Sequence, residues 1–145
     1  MHAIAYDLDL AIDAAGTTVT GTACVRASRT TATRIHAAIA PTGTPILRAD
    51  DADDGAAYVY SLFVPAEASR LFPCIDRPDA KAVFTLRLAL PAGWTAVSCG
   101  AGTPTRDGMT FAPTPPLPTY AFGFAAGPFA IVEDPSGAPP MRAYV

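Results

Sequence analysis

One stretch, Leu71–Leu88 (LFPCIDRPDAKAVFTLRL), constrains this chain more than any other. Pro73 and Pro78 bracket its first half, and each proline fixes its own φ and restricts the residue before it. Phe72–Pro78 therefore reads as a shaped turn. From Ala82 the polarity alternates: Ala82, Phe84, Leu86 and Leu88 share one face, Lys81, Thr85 and Arg87 the other, and Val83 is the one apolar residue on the outer side. Period two marks a half-buried β-strand. A rigid turn leading into a sheet is framework, and it contains neither a nucleophile–base pair nor a metal-ligand spacing.

The rest of the chain follows the same grammar. Ile4, Tyr6, Leu8, Leu10 and Ile12 alternate with Ala5, Asp7, Asp9 and Ala11, which makes a clean first strand, and Asp13–Gly16 turns it. Thr17–Ala27 reads as a second strand with Val19, Ala23 and Val25 on one side, and Thr33–Ala40 as a third with Ile35 and Ile39 in phase. Pro41–Pro45 breaks the chain, and Ala49–Gly55 is an acidic turn, so Ile39 to Asp53 reads as a short Pro-containing loop. In Ala57–Val64, Tyr58, Tyr60, Leu62 and Val64 face one way and Val59 and Phe63 the other; Pro65 ends the strand. Ala66–Leu71 suits one helical turn. Lys81–Leu90, Thr95–Cys99, Met109–Phe111, Tyr120–Ala126, Phe129–Glu133 and Met141–Val145 complete the set. No window holds a helical period for the roughly 10–12 residues of an ordinary helix. With 15 prolines and 11 glycines in the turns, the expected fold is all-β: an antiparallel sandwich or curved, saddle-like sheet of roughly eight to ten short strands in a single domain over residues 1–145.

Composition narrows the function. Half the residues are hydrophobic and 16% are charged, which suits a filled core and surface that a neighbouring domain covers. A net charge of −3 gives no electrostatic footprint for nucleic acid. No apolar run approaches the ~20 residues that span a bilayer, and MHAIAYDLDL lacks a basic, apolar export signal; a cytoplasmic location is the expectation. Cys24, Cys74 and Cys99 are odd in number and widely spaced, which suits buried free thiols better than disulfides or a zinc knuckle. Asp50, Asp51, Asp53, Asp54 and Gly55 fail the calcium-loop pattern, since the third position from Asp50 is Ala52 and the twelfth is Ser61; a solvated turn fits. Asp76 and Arg77 read as a local turn pair, with Asp76 able to accept backbone N–H bonds. Arg26, Arg34, Arg87 and Arg142 are taken as solvated.

The motifs carry a family resemblance. LFPCIDRPDAKAVFTLRLALPAGWTAVS resembles the F-P-C-x-D-x-P-x-x-K-A-x-F signature of the N-terminal domain of the aminopeptidase N family of zinc metallopeptidases, which includes leukotriene hydrolase. Thr114-Pro-Pro-Leu-Pro-Thr-Tyr120, then Phe124, Gly127, Phe129 and Glu133, resembles the family's second block. Tyr6–Leu10 resembles its opening strand, and Asp53-Asp-Gly55 with Tyr58 the turn before the signature. The resemblance implies a β-domain that packs on a catalytic domain and walls one side of the substrate cleft. Family hydrolysis needs H-E-x-x-H and a further Glu. This chain has two histidines, His2 and His36, and neither that motif nor G-x-M-E-N, so no catalytic residue, no metal ligand and no cofactor is expected here. Zinc would belong to a catalytic domain elsewhere.

The family's T-Q-x-E positions, counted back from Phe72, fall on Ser61, Leu62 and Val64. The resemblance thus implies a cleft surface of Tyr60, Leu62 and Val64, apolar where the family has polar contacts; the same residues also suit ordinary core positions of a re-registered strand. Tyr58, Trp94 and Tyr120, with Phe122 and Phe124, are candidate pocket aromatics against a default of core. The family has further strands where Ile39–Asp53 is short, and a missing strand leaves unpaired edges. The expected partners are accordingly a peptidase catalytic domain, a second copy paired through a sheet edge, or a hydrophobic small molecule held or steered toward cyclisation by a free-standing domain.

Overall fold

The computed structural model describes residues 4–145. His2 lies outside them. Among the described residues there are thirteen strands and two short 3-10 turns: β1 (Ile4–Ile12), β2 (Thr18–Arg26), β3 (Thr30–Ala38), β4 (Ile46–Asp50), β5 (Ala57–Ser61), η1 (Ala68–Arg70), β6 (Lys81–Ala89), β7 (Thr95–Ser98), β8 (Gly102–Pro104), β9 (Gly108–Phe111), β10 (Leu117–Pro118), η2 (Thr119–Ala121), β11 (Phe124–Gly127), β12 (Ile131–Asp134) and β13 (Met141–Tyr144). The all-β expectation holds, with more and shorter strands than anticipated. No helix among the described residues is long and apolar enough to cross a membrane.

The larger sheet runs β3-β2-β1-β6-β9-β8, with β10 added beside β6. A second sheet runs β4-β5-β11-β7, and β12 with β13 forms a separate hairpin. Pairing is antiparallel throughout the named ladders but one: β1 lies parallel to β6, Ile4 opposite Ala82 through Ala11 opposite Ala89. A parallel pair needs a long crossover, and β2 to β5 together with η1 supply it. The two strands are in phase, so Tyr6, Leu8 and Leu10 stand opposite Phe84, Leu86 and Leu88, and all six are buried. One contiguous core joins them to Ile46, Val59, Phe63, Phe124 and Ala126 from the second sheet.

β4 corrects the reading of Ile39–Asp53 as a loop. Ile46–Asp50 pairs antiparallel with Ala57–Ser61, and Ile46 is fully buried. Five residues between Pro45 and an acidic turn hold too few alternations to register as a strand; the partner ladder decides. Arg48 spans from this strand to the other sheet, donating to the carbonyls of Ala15 at 2.7 Å and Gly16 at 3.2 Å. Tyr120 corrects another boundary: it belongs to η2, and the next strand begins only at Phe124. Pro104 and Pro118 sit in the short strands β8 and β10, which periodicity missed because two or three residues show no period.

Close approach, not turn geometry, fixes one glycine. Gly21 sits in β2 opposite Leu10, and a Cβ there would lie 2.0 Å from the Asp9 carbonyl oxygen. Gly21→Ala forces the β1–β2 ladder apart. It is expected to destabilise the fold by about 1–3 kcal/mol, read as a lower urea midpoint at unchanged m-value.

Candidate functional site

The Phe72–Pro78 turn is held by three polar contacts. The Asp76 carboxylate accepts the Thr119 hydroxyl at 2.6 Å and the Ser69 backbone N–H at 3.0 Å. The Tyr6 hydroxyl, at the far end of β1, accepts the Ile75 N–H at 2.9 Å. Thr114 closes the second block onto β6: its N–H donates to the Phe84 carbonyl, and its hydroxyl accepts the Phe84 N–H, both at 3.0 Å. Thr114 and Thr119 are the two buried polar residues of the core. The two motif blocks are thus bonded to each other, a relation that spacing alone does not reveal. Asp76 does accept a backbone N–H, but Arg77 does not pair with it; Arg77 turns to Asp79.

Aromatic packing backs the same region. The Phe84 and Phe122 rings stack at 4.4 Å, Tyr6 lies 5.5 Å from Phe72 and 5.1 Å from Phe84, and Phe63 meets both Phe72 and Phe122. Phe122 and Phe124 are therefore core. Burial raises the Tyr6 phenol above its ordinary value. Cys74 sits half-buried beside this cluster, and burial, reinforced by the Asp76 charge, pushes its thiol up to about 12.

Beside the turn lies an apolar face. On β5, Val59 points into the core while Tyr60 is 38% exposed; beyond the strand, Phe63 is buried while Leu62 and Val64 are 47% and 54% exposed. This overturns the alternative that Leu62 and Val64 are core. Leu47 and Ala125 stand opposite Tyr60 in register and extend the outward face of the second sheet. Leu47, Leu62 and Val64 line a groove of about 320 Å³ whose other wall includes Thr42, Glu67 and Arg70. Arg70 pairs with Glu67 and donates to the Gly43 carbonyl at 2.8 Å, which fixes that wall.

The proposed pocket aromatics do not meet. Tyr58 packs 5.0 Å from Phe129, itself 6.0 Å from Tyr144, so the β12–β13 hairpin takes one side of it. Trp94 lies over the β1–β2 turn, where a Cβ on Gly16 would come within 3.2 Å of its ring. Tyr120 is 40% exposed on η2. A separate groove of about 650 Å³ crosses the outer face of the larger sheet, lined by Asp7, Thr22, Cys24, Thr85, Arg87 and Phe111 among others. Its charges are already engaged: Asp7 with Arg26 and Thr85, Arg87 with Asp9 and Asp107. These pairs, with Arg48–Asp50 and Arg142–Glu133, place four of the five strand arginines in ion pairs.

The donor set does not fit a metal centre. Among the described residues no three His, Cys, Asp or Glu side chains are grouped to hold an ion. His36 stands exposed on β3. What the arrangement provides is a rigid, latched β-framework with an apolar face beside it.

Comparison with known proteins says which framework. The Peptidase M1 N-terminal domain family matches residues 46–121, just over half of the chain, and the chain belongs to that family. The matched span runs from β4 to η2 and contains the signature block and the first part of the second, Thr114–Tyr120. Aminopeptidase N of Streptomyces lividans is 33% identical over 93 residues, taking in 63% of this chain and 11% of that protein. Aminopeptidase N of Acetobacter pasteurianus is 34% identical over 88 residues, 57% of this chain and 25% of that one. The chain therefore spans about a tenth and a quarter of these relatives. Yeast LTA4 hydrolase, solved in complex with bestatin, superposes with a TM-score of 0.68 at 16% identity over 90% of this chain and 29% of that chain, which shows the shared fold.

Two outcomes follow from this geometry. Thr114→Val keeps the shape but removes the acceptor of the buried Phe84 N–H; it is expected to cost about 1–3 kcal/mol in urea unfolding. With a thiol near 12, Cys74 stays protonated at pH 8. Iodoacetamide mapping by mass spectrometry should find the exposed Cys99 alkylated well before Cys74 in the folded chain, and the difference should collapse in urea.

Proposed function

We propose that this chain is a non-catalytic β-domain whose role is to pack against the zinc-bearing catalytic domain of an aminopeptidase N-like enzyme and to wall one side of its substrate cleft. The observation that carries this reading is the apolar outward row of Leu47, Tyr60, Leu62 and Val64, the last three exposed, on the second sheet and the segment after β5, whose inward Ile46, Val59 and Phe63 are buried in the core. Contiguous exposed apolar surface is costly in water and marks an interface. Leu62 and Val64 offer no acceptor for a substrate ammonium, which a carboxylate would hold by a charge-assisted bond; the wall they form selects apolar groups by contact. The groove's charged rim, Glu67 and Arg70, is self-paired and leaves the apolar floor to define what sits there. Zinc and its chemistry would belong wholly to the partnering domain.

The test uses the chain and the catalytic module of an aminopeptidase N prepared without that enzyme's own N-terminal domain. Calorimetry should show saturable binding. Tyr60→Asp with Leu62→Asp should weaken it at least ~tenfold while the chain's own melting temperature holds, because both side chains are exposed. The chain alone with zinc should not turn over aminoacyl fluorogenic substrates. No binding by the unaltered chain, or binding indifferent to both substitutions, contradicts the proposal.

A further inference from the structure

We infer that the free edge of β3 is a self-pairing surface, through which two copies of this chain join their larger sheets into one. The larger sheet ends on β3 at one side and β8 at the other, and the second sheet ends on β4 and β7. Three of these edges are blunted. β8 is three residues long and ends in Pro104; β7 has four residues; β4 carries the isolated bridge from Ala40 to Leu47 and ends in Asp50. β3 is different. It pairs with β2 over nine unbroken residues, Thr30 with Arg26 through Ala38 with Thr18, and its sequence TTATRIHAA contains no proline, glycine, lysine or acidic residue. Proteins blunt exposed strand edges with such devices and with charged side chains, and on β3 Arg34 is the one charge.

The ladder fixes which groups face outward. Ile39 N–H donates to the Thr17 carbonyl, so Ile39 and, by alternation in an antiparallel pair, the odd-numbered residues of β3 bond to β2. The backbone groups of Thr30, Ala32, Arg34, His36 and Ala38 therefore point away from the sheet. The Thr44 hydroxyl donates to the Ala38 carbonyl at 2.8 Å, which agrees with that phase and closes the edge at its end. Four outward residues remain. A twofold axis through Arg34 would set two guanidinium groups directly opposite each other, a destabilising arrangement. Centring the axis on Thr33 moves the two Arg34 side chains from directly opposite to diagonal positions, which weakens that repulsion: Thr30 then faces His36 of the second copy, and Ala32 faces Arg34 of the second copy. All four outward residues pair, and Thr31 meets Ile35 of the second copy on the inner face. The edge is complementary to itself, which is why a second copy is the occupant.

This inference concerns the larger sheet and stands independently of the catalytic-domain reading, which uses the second sheet. Sedimentation equilibrium of the 145-residue chain from about 1 to about 300 µM tests it by mass action. A reversible monomer–dimer equilibrium is expected. Ala32→Pro removes an outward N–H, costing no bond within the subunit, and proline is tolerated on such an edge; it should yield monomer across the range with circular dichroism and melting curve unchanged. Ala32→Lys, which leaves the backbone intact, should weaken association at least ~tenfold and serves as well if the proline variant misfolds. A strictly monomeric unaltered chain, or a dimer that the lysine variant leaves intact, overturns the inference.

Discussion

The bond from the Thr119 hydroxyl to the Asp76 carboxylate is the constraint around which this fold is arranged. Thr119 is 1% exposed, so its hydroxyl has no water to turn to, and a buried polar group without a partner costs more than a formed bond gains. Asp76 answers it with one oxygen and ties the other to the Ser69 N–H. The prolines around both residues shape the approach. Asp76 sits between Pro73 and Pro78 and Thr119 follows Pro118, so each is delivered by a backbone with restricted freedom before the bond forms.

That single junction has consequences for both sheets. It holds the turn against η2, which places Phe72 and Phe122 on the ring cluster of Tyr6, Phe63 and Phe84. Those five rings come from β1, from β6, from the turn after η1 and from the segments just after β5 and just before β11, so the cluster is where the two sheets are joined. With Phe63 fixed inward, the alternation of the chain leaves Leu62 and Val64 outward. The apolar face is a geometric consequence of the core on its other side. A partner docking on a face built this way would meet side chains already in place, which lowers the cost of association.

The sequence made the strands with long alternation plain, and the signature block carried the family. β1 and β6 show four or five apolar residues at period two, enough to fix both their faces. The short elements were hidden for the opposite reason: β4, β8 and β10 offer two to five residues each and exist through their ladders. The parallel pairing of β1 and β6 was equally hidden, because phase on a strand says which face is buried and nothing about direction. At the site, alternation put Tyr60, Leu62 and Val64 on one face but left open whether that face was core or surface; the burial of Val59 and Phe63 on the other side decides it. Tyr58, Trp94 and Tyr120 share a residue class but no location; aromatic content alone carries no distance. The Asp76–Thr119 bond spans 43 positions, and no local pattern could announce it.

A double-mutant cycle on Asp76 and Thr119 tests the central claim most directly. Unfolding free energies of the unaltered chain, Asp76→Ala, Thr119→Val and the double variant isolate the pairwise coupling. The expected coupling is about 1.5–3 kcal/mol, the range for a hydrogen bond to a charged group. Additive single effects, with coupling near zero, would show that the two motif blocks are held together by packing alone and would contradict it.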